Sequence, residues 1–157
     1  MIVENEYLEE IREIWKENNS GYITKQSNDT ALSNKNMTKI VYLEDNIVAG
    51  YVIVYEGKDF CELEGFPNQI QDMTDNMAYV WEIAIRKKFV GKGIGKKLLQ
   101  YVIEKFHNDT LYSCIDRKNI PSLNLHKKYG FTELYYFDEE DNKKISQHIM
   151  MERKSNK

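Results

Sequence analysis

The sequence predicts an α/β domain built on a single mixed β-sheet flanked by helices. Three observations carry this. A helical period near the N-terminus precedes the first β pattern. An apolar strand at 78–85 runs through a glycine-containing turn into a second helical period. Two further β patterns close the chain after a third helix. Strands placed before, between and after helices are the signature of a layered fold, and the absence of strict strand–helix alternation makes the sheet mixed rather than purely parallel.

The first period places Tyr7, Leu8, Ile11, Ile14 and Trp15 on one face, with charged residues between them, and stops at Asn18-Asn19-Ser20-Gly21. That spacing predicts an amphipathic helix. Residues 25–36 are polar and read as a loop or a weak helix. Residues 39–43 and 46–55 are rich in Ile, Val and Tyr and read as a hairpin turning at Glu44-Asp45-Asn46. Periodicity is lost from Gly57 to Met77, and a connection of that length inside a compact domain is more often functional than structural, so residues 58–77 are a candidate acceptor-side loop. Residues 78–85 form the apolar strand, and Ile94, Leu98, Leu99, Val102, Ile103 and Phe106 mark the helix after the turn. A short strand at 110–115 leads to a helix with Asn119 as its N-cap and Pro121 in its first turn, ended by Gly130. Strands at 131–137 and 145–151, separated by turn-rich residues 138–142, complete the chain.

With 157 residues the chain has the size of one domain, spanning 1–157, and its 41% hydrophobic and 30% charged residues lie in the globular range. Apolar runs are too short to span a bilayer and the N-terminus lacks a signal-peptide layout, so no membrane partner and a cytoplasmic location are expected. Cys61 and Cys114 stand far apart without metal-ligand spacing, and His107 and His148 have no ligand-like neighbours, so no metal is expected. A formal net charge of −3 gives no general attraction for nucleic acid. Basic residues nevertheless cluster between Arg86 and Lys97, which suits a small polyanion.

The segment Val90-Gly91-Lys92-Gly93-Ile94-Gly95-Lys96 runs from a strand into a helix. Glycines there let successive backbone N–H groups converge on one anion, and the helix start adds its positive dipole end and the lysines their charge. A dinucleotide fingerprint starting at Gly91 requires glycine where Lys96 stands; starting at Gly93, it requires glycine where Leu98 stands. A P-loop ending in Gly95-Lys96 requires glycine at Val90 and Ser or Thr at Lys97. All three registers fail, which disfavours nucleotide oxidoreductase and ATP-type readings.

Together with the strand ending in Glu82-Ile83-Ala84-Ile85, this loop and the downstream Asn119-x-x-Ser122-x-x-Leu125-His126-x-x-x-Gly130-Phe131 resemble the GNAT superfamily of acetyl-CoA-dependent N-acetyltransferases. The resemblance covers residues 79–131. Val90 to Gly95 is similar to the family's (Gln/Arg)-x-x-Gly-x-(Gly/Ala), and the second segment to Asn-x-x-(Ala/Ser)-x-x-Leu-Tyr-x-x-x-Gly-Phe. The resemblance implies a splayed sheet in which backbone groups of Ile83, Ala84 and Ile85 hold the pantetheine arm of acetyl-CoA and meet the acetyl carbonyl. It implies that Val90, Gly91, Lys92, Gly93, Ile94, Gly95 and Lys96 hold the pyrophosphate, with Asn119, Ser122 and Asn124 also on the cofactor side. Oriented backbone donors of this kind stabilise the oxyanion that forms when an amine attacks a thioester.

Two departures stand out. Val90 replaces the family's Arg or Gln, with Lys92 or Lys96 as candidate compensation, and His126 replaces the tyrosine that protonates the departing thiolate in many members. Histidine of pKa about 6.5 is the stronger acid but is charged in only roughly a quarter of molecules at pH 7. An amine of pKa about 10.4 must lose a proton before it attacks. Glu82, interrupting an apolar strand on the face opposite Trp81 and Ile83, is the candidate base, with Glu62 and Glu64 as weaker alternatives. The expected activity is direct acetyl transfer from acetyl-CoA to a primary amine on a small molecule, peptide or protein, within a ternary complex. The alternative is an acyl-CoA-binding sensor without turnover. A homodimer is left open.

Overall fold

The computed structural model describes residues 1–18, 25–62, 76–141 and 144–155, and, of these, the side chains of residues 61, 62, 139–141, 144 and 146 stand outside the description. The elements are β1 Ile2–Glu4, α1 Leu8–Asn18, α2 Lys25–Ser33, β2 Met37–Glu44, β3 Ile47–Glu56, β4 Met77–Ile85, α3 Ile94–Lys105, β5 Thr110–Asp116, α4 Ile120–Lys128, β6 Thr132–Asp141 and β7 Lys144–Arg153. Seven strands form one sheet in the order β1-β2-β3-β4-β5-β7-β6. β4 and β5 are parallel, while β1·β2, β5·β7 and β6·β7 are antiparallel, which makes the sheet mixed as expected. Among the described residues no helix is long and apolar enough to cross a membrane.

The chain divides into two compact units, Met1–Val54 with Trp81–Val102 and Tyr55–Val80 with Ile103–Lys157. In the first, Val48 to Val54 of β3 form an unbroken buried run, and Val52, Ile53 and Val54 are fully enclosed. A strand buried on both faces loses the polar alternation of a half-exposed one. The helices contribute Ile11 and Ile14 from α1, Leu32 from α2 and Leu98, Leu99 and Val102 from α3. The β2·β3 hairpin turns through Asp45 and Asn46, both at positive φ (48° and 65°), a two-residue turn whose twist matches the strands and which short polar side chains tolerate.

The second unit is centred on Phe60, which stacks on Tyr79 at 5.1 Å between centroids and contacts Tyr112 and Tyr55. Leu111, Met150 and Met151 are fully buried beside β5 and β7. The β4·β5 ladder holds four pairs, from Met77↔Thr110 to Val80↔Ser113, all within this unit.

The structure decides one open reading, adds one strand and corrects the turn between the last two strands. Of the two readings left open for residues 25–36, loop or weak helix, residues 25–33 take the helix: Asn28, Ala31 and Leu32 lie at i, i+3, i+4 and are buried, so tertiary packing carries a helix with little apolar content of its own. β1, too short for a periodic pattern, pairs through Ile2↔Tyr42 to Glu4↔Ile40. The last two strands continue through residues 138–141, with ladder pairs as far as Asp141↔Lys144, leaving a shorter turn than the acidic stretch suggested. Of the expected acceptor-side loop, residues 58–62 form a 3₁₀ turn and residues 63–75, including Glu64, lie outside the described residues.

Candidate functional site

β4 changes character along its length, residues 77–80 belonging to the second unit and residues 81–85 to the first. Met77, Ala78, Tyr79 and Val80 are buried, whereas residues 81–85 are each half-buried. The backbone of this second half can be oriented from one bond. The Arg86 N–H donates to the Ala49 carbonyl of β3 at 2.8 Å. Because a residue's N–H and C=O share a side of an extended strand and alternate between neighbours, Ala84 turns its backbone groups toward β3, and Ile83 and Ile85 turn theirs away. The neighbourhood of Gly50 agrees: a Cβ built there would lie 3.0 Å from the Ala84 carbonyl oxygen and 3.4 Å from Ile85 Cα. Of the three residues expected to offer backbone groups to a ligand, Ile83 and Ile85 are so oriented and Ala84 is not. The Ile85 carbonyl also accepts from the Asn18 side chain at 3.0 Å, a contact that sequence reasoning missed.

Glu82 stands on the opposite face of the same segment. The fully buried Tyr51 of β3 donates its hydroxyl to Glu82 Oε1. Burial pushes the Glu82 carboxyl up to about 8, because a carboxylate removed from water loses its hydration. An acid of that strength matches general base work near neutral pH far better than an exposed carboxylate. Tyr51 gave no signal in the sequence, since a tyrosine within an apolar strand reads as core.

The loop after β4 is pinned by Phe89, which is buried and ends a 3₁₀ turn over Lys87–Phe89. Gly91 and Gly93 have φ of 87° and 76°, a region that favours glycine, and a Cβ at either would meet nothing within 4 Å. Here glycine serves backbone direction, and the space beside it is open for a ligand to approach. Gly93 accepts the Lys97 N–H at 3.1 Å, so α3 begins directly on the loop, and the first amides of a helix have no acceptor within it. Ile94 is buried under the first turn.

Six cations lie between Arg86 and Lys97, and the structure separates them. Arg86 is committed to the Val48 carbonyl and to Glu13, and Lys97 to the Tyr42 hydroxyl. Lys88 and Lys92 both sit about 5 Å from the Phe89 ring centre, and Lys96 is exposed on the first turn of α3. Val90 is 65% exposed, an apolar side chain left in the position where the resemblance prefers a polar one. Loop geometry, open space at the glycines and the remaining lysines fit a pyrophosphate.

In the second unit, Asn119 caps α4 by accepting the Ser122 N–H at 3.2 Å, with Pro121 in the first turn as expected. At the other end the Phe131 N–H reaches the His126 carbonyl and the Gly130 N–H the Lys127 carbonyl, with Gly130 at φ 92°. This is the Schellman arrangement, and its usual apolar contact is made by the His126 and Phe131 rings, 4.9 Å apart. His126 is 2% exposed. Its Nδ1 lies 2.8 Å from the Ser122 carbonyl, which assigns the proton to Nδ1, and its buried Nε2 has no hydrogen-bond partner among the described residues. Burial holds the imidazole below its ordinary pKa, which favours the neutral form of the ring. The ring is thus held by packing on Phe131 and by its bond to Ser122, the setting in which the expected proton-donor role of His126 is to be tested. Asn124, two residues earlier, is exposed on a different face.

Among the described residues no three His, Cys, Asp or Glu side chains gather closely enough to hold a metal.

Against known proteins, residues 3–131 match the model of the acetyltransferase (GNAT) family. The chain is 30% identical over 106 residues to an N-alpha-acetyltransferase of Sulfurisphaera tokodaii, a match covering 62% of this chain and 60% of that protein's length. It is 27% identical over 133 residues to a spermine/spermidine N(1)-acetyltransferase of Bacillus subtilis, covering 77% of this chain and 86% of that one. The fold is similar to that of the ribosomal-protein-S18-alanine N-acetyltransferase of Escherichia coli, with a TM-score of 0.78 at 14% identity over 98% of this chain and 92% of the other. It is also similar to a ribosomal-protein-alanine N-acetyltransferase of Brucella melitensis, with a TM-score of 0.76 at 20% identity over 98% of each chain.

Proposed function

Because the chain belongs to the acetyltransferase (GNAT) family, we propose that it transfers an acetyl group from acetyl-CoA to a primary amine by direct attack within a ternary complex, with Glu82 as general base. The observation that carries the reading is one half-buried strand segment that combines a carboxyl of pKa about 8 at Glu82 with outward-facing backbone groups at Ile83 and Ile85.

Acetyl-CoA, when bound, supplies the acetyl thioester. Backbone amides of residues 91–95, with Lys92 and Lys96, hold the pyrophosphate; the open space at Gly91 and Gly93 supports this assignment. Ile83 and Ile85 align the pantetheine arm as an added strand, and an outward N–H there stabilises negative charge developing on the acetyl oxygen. Glu82 takes a proton from the amine, whose nitrogen keeps the electron pair and forms the C–N bond as the C–S bond breaks. Asn119 and Ser122 shape the start of α4, supported by the cap between them, and Asn124 offers an exposed amide. The leaving thiolate, whose conjugate acid has a pKa of about 8.5, is a fair leaving group without a dedicated donor, in keeping with burial that favours the neutral form of His126. A sensor lacking turnover has no use for a carboxyl raised toward neutrality, so the catalytic reading is preferred.

Acceptors named for the relatives, spermine, spermidine and protein N-termini, define the panel to test. Thiol release from acetyl-CoA that depends on one of these amines, with a 42 Da mass gain on the acceptor (about one acetyl group replacing one proton), is the expected result. Donor binding without amine-dependent thiol release across the panel would count against it.

A further inference from the structure

We propose that Tyr51 is a positioning residue for the proton transfer, fixing which oxygen of the Glu82 carboxyl receives the proton of the amine. The inference rests on the reading of Glu82 as the base. Tyr51 lies within the continuous buried run of β3, 0% exposed, and its hydroxyl donates to Glu82 Oε1, 31 residues along the chain. Gly50, its neighbour, permits the close approach of β3 to Ala84 and Ile85 that brings the two side chains together, since any Cβ there would press on the Ala84 carbonyl oxygen at 3.0 Å.

A phenol has one O–H to give, and a carboxylate has two oxygens to receive. With Oε1 committed to Tyr51, Oε2 keeps its full accepting capacity. In the transfer one ammonium N–H proton moves to Oε2, the nitrogen attacks the thioester with the electron pair it retains, and the second proton lost from nitrogen as the C–S bond breaks goes to the departing thiolate, while the Tyr51 O–H stays intact and continues to donate to Oε1. A donor to the ionised carboxylate works against desolvation, the cause that raises Glu82, so removing the Tyr51 hydroxyl is expected to raise the carboxyl further. Full burial of the phenol keeps water from substituting for it.

The test compares wild type, Tyr51→Phe and protein carrying 3-fluorotyrosine in place of Tyr51 alone. It reads the pH dependence of kcat/KM together with a carbon-13 titration of the Glu82 carboxyl. Loss of the donor in Tyr51→Phe should raise the Glu82 pKa by about one unit and lower kcat about tenfold, leaving the acetyl-CoA KM within about twofold. The fluorinated phenol, a stronger donor, should shift the pKa downward. It decides the question alone if Tyr51→Phe does not fold. A Glu82 pKa that stays fixed in the variants would overturn the proposal. Full activity in Glu82→Gln would instead remove the base on which it rests, a separate failure that the same assay exposes.

Discussion

The side-chain amide of Asn18, at the end of α1, donates to the Ile85 carbonyl at 3.0 Å and to the Ile14 carbonyl at the same distance. One side chain thus ends a helix and occupies an outward-facing group of the strand proposed to hold the pantetheine arm. Asn18→Ala should cost about 1 kcal/mol, the net worth of a lost hydrogen bond, measurable by chemical denaturation. With its competing donor gone, the Ile85 carbonyl should be more available, and the acetyl-CoA KM should fall. A raised KM would show that Asn18 organises the strand for binding instead.

Gly93 carries a φ of 76° in open space. Gly93→Ala should therefore act through backbone strain, costing about 1 kcal/mol of stability, and should raise the acetyl-CoA KM while leaving the KM of the amine unchanged. Equal effects on both substrates in steady-state kinetics would separate the loop from donor binding.

At His126 the geometry predicts a structural phenotype. His126→Gln should lower the melting temperature, because the ring that packs on Phe131 at the helix stop is lost, while the pH dependence of kcat keeps its shape. A limb that disappears with the substitution would restore the proton-donor role.

The fate of His126 shows what the sequence could and could not convey. Its place in a recognisable string was legible, and so was Gly130 as the helix stop. That Phe131 packs on the same ring, making the string largely a helix ending, appears only when both carbonyl bonds are seen. The strand, loop and α3 were legible because apolar period and glycine placement are local properties. The helix at Lys25–Ser33 was legible only as one of two alternatives, loop or weak helix, because its stability comes from burying Asn28, Ala31 and Leu32 rather than from its own composition. Tyr51 and Asn18 were invisible for a related reason. Each acts through a partner more than 30 residues away, and nothing about a tyrosine in an apolar strand or an asparagine at a helix end specifies that partner.

Stability should carry the mark of Glu82 independently of turnover. Its folded-state pKa of about 8 lies above the ordinary 4.5, so the folded protein holds a proton that the unfolded chain has released between those values. Stability contributed by this group is therefore present below about pH 4.5 and is lost as pH rises toward 8. Glu82→Gln removes the dependence while retaining an oxygen for the Tyr51 hydroxyl. Its melting temperature should match wild type near pH 5 and exceed it increasingly up to pH 8. Parallel curves would mean that the carboxyl is not held out of water.

The most direct test of the account is the rate of amine-dependent thiol release from acetyl-CoA, followed from pH 6 to 10, a range chosen to bracket the Glu82 value of about 8, in wild type and Glu82→Gln. With Glu82 as the base, the wild-type kcat/KM climbs through about pH 8, and the variant loses roughly 10²- to 10⁴-fold with the acetyl-CoA KM little changed. A variant that turns over at the wild-type rate across that range would contradict it.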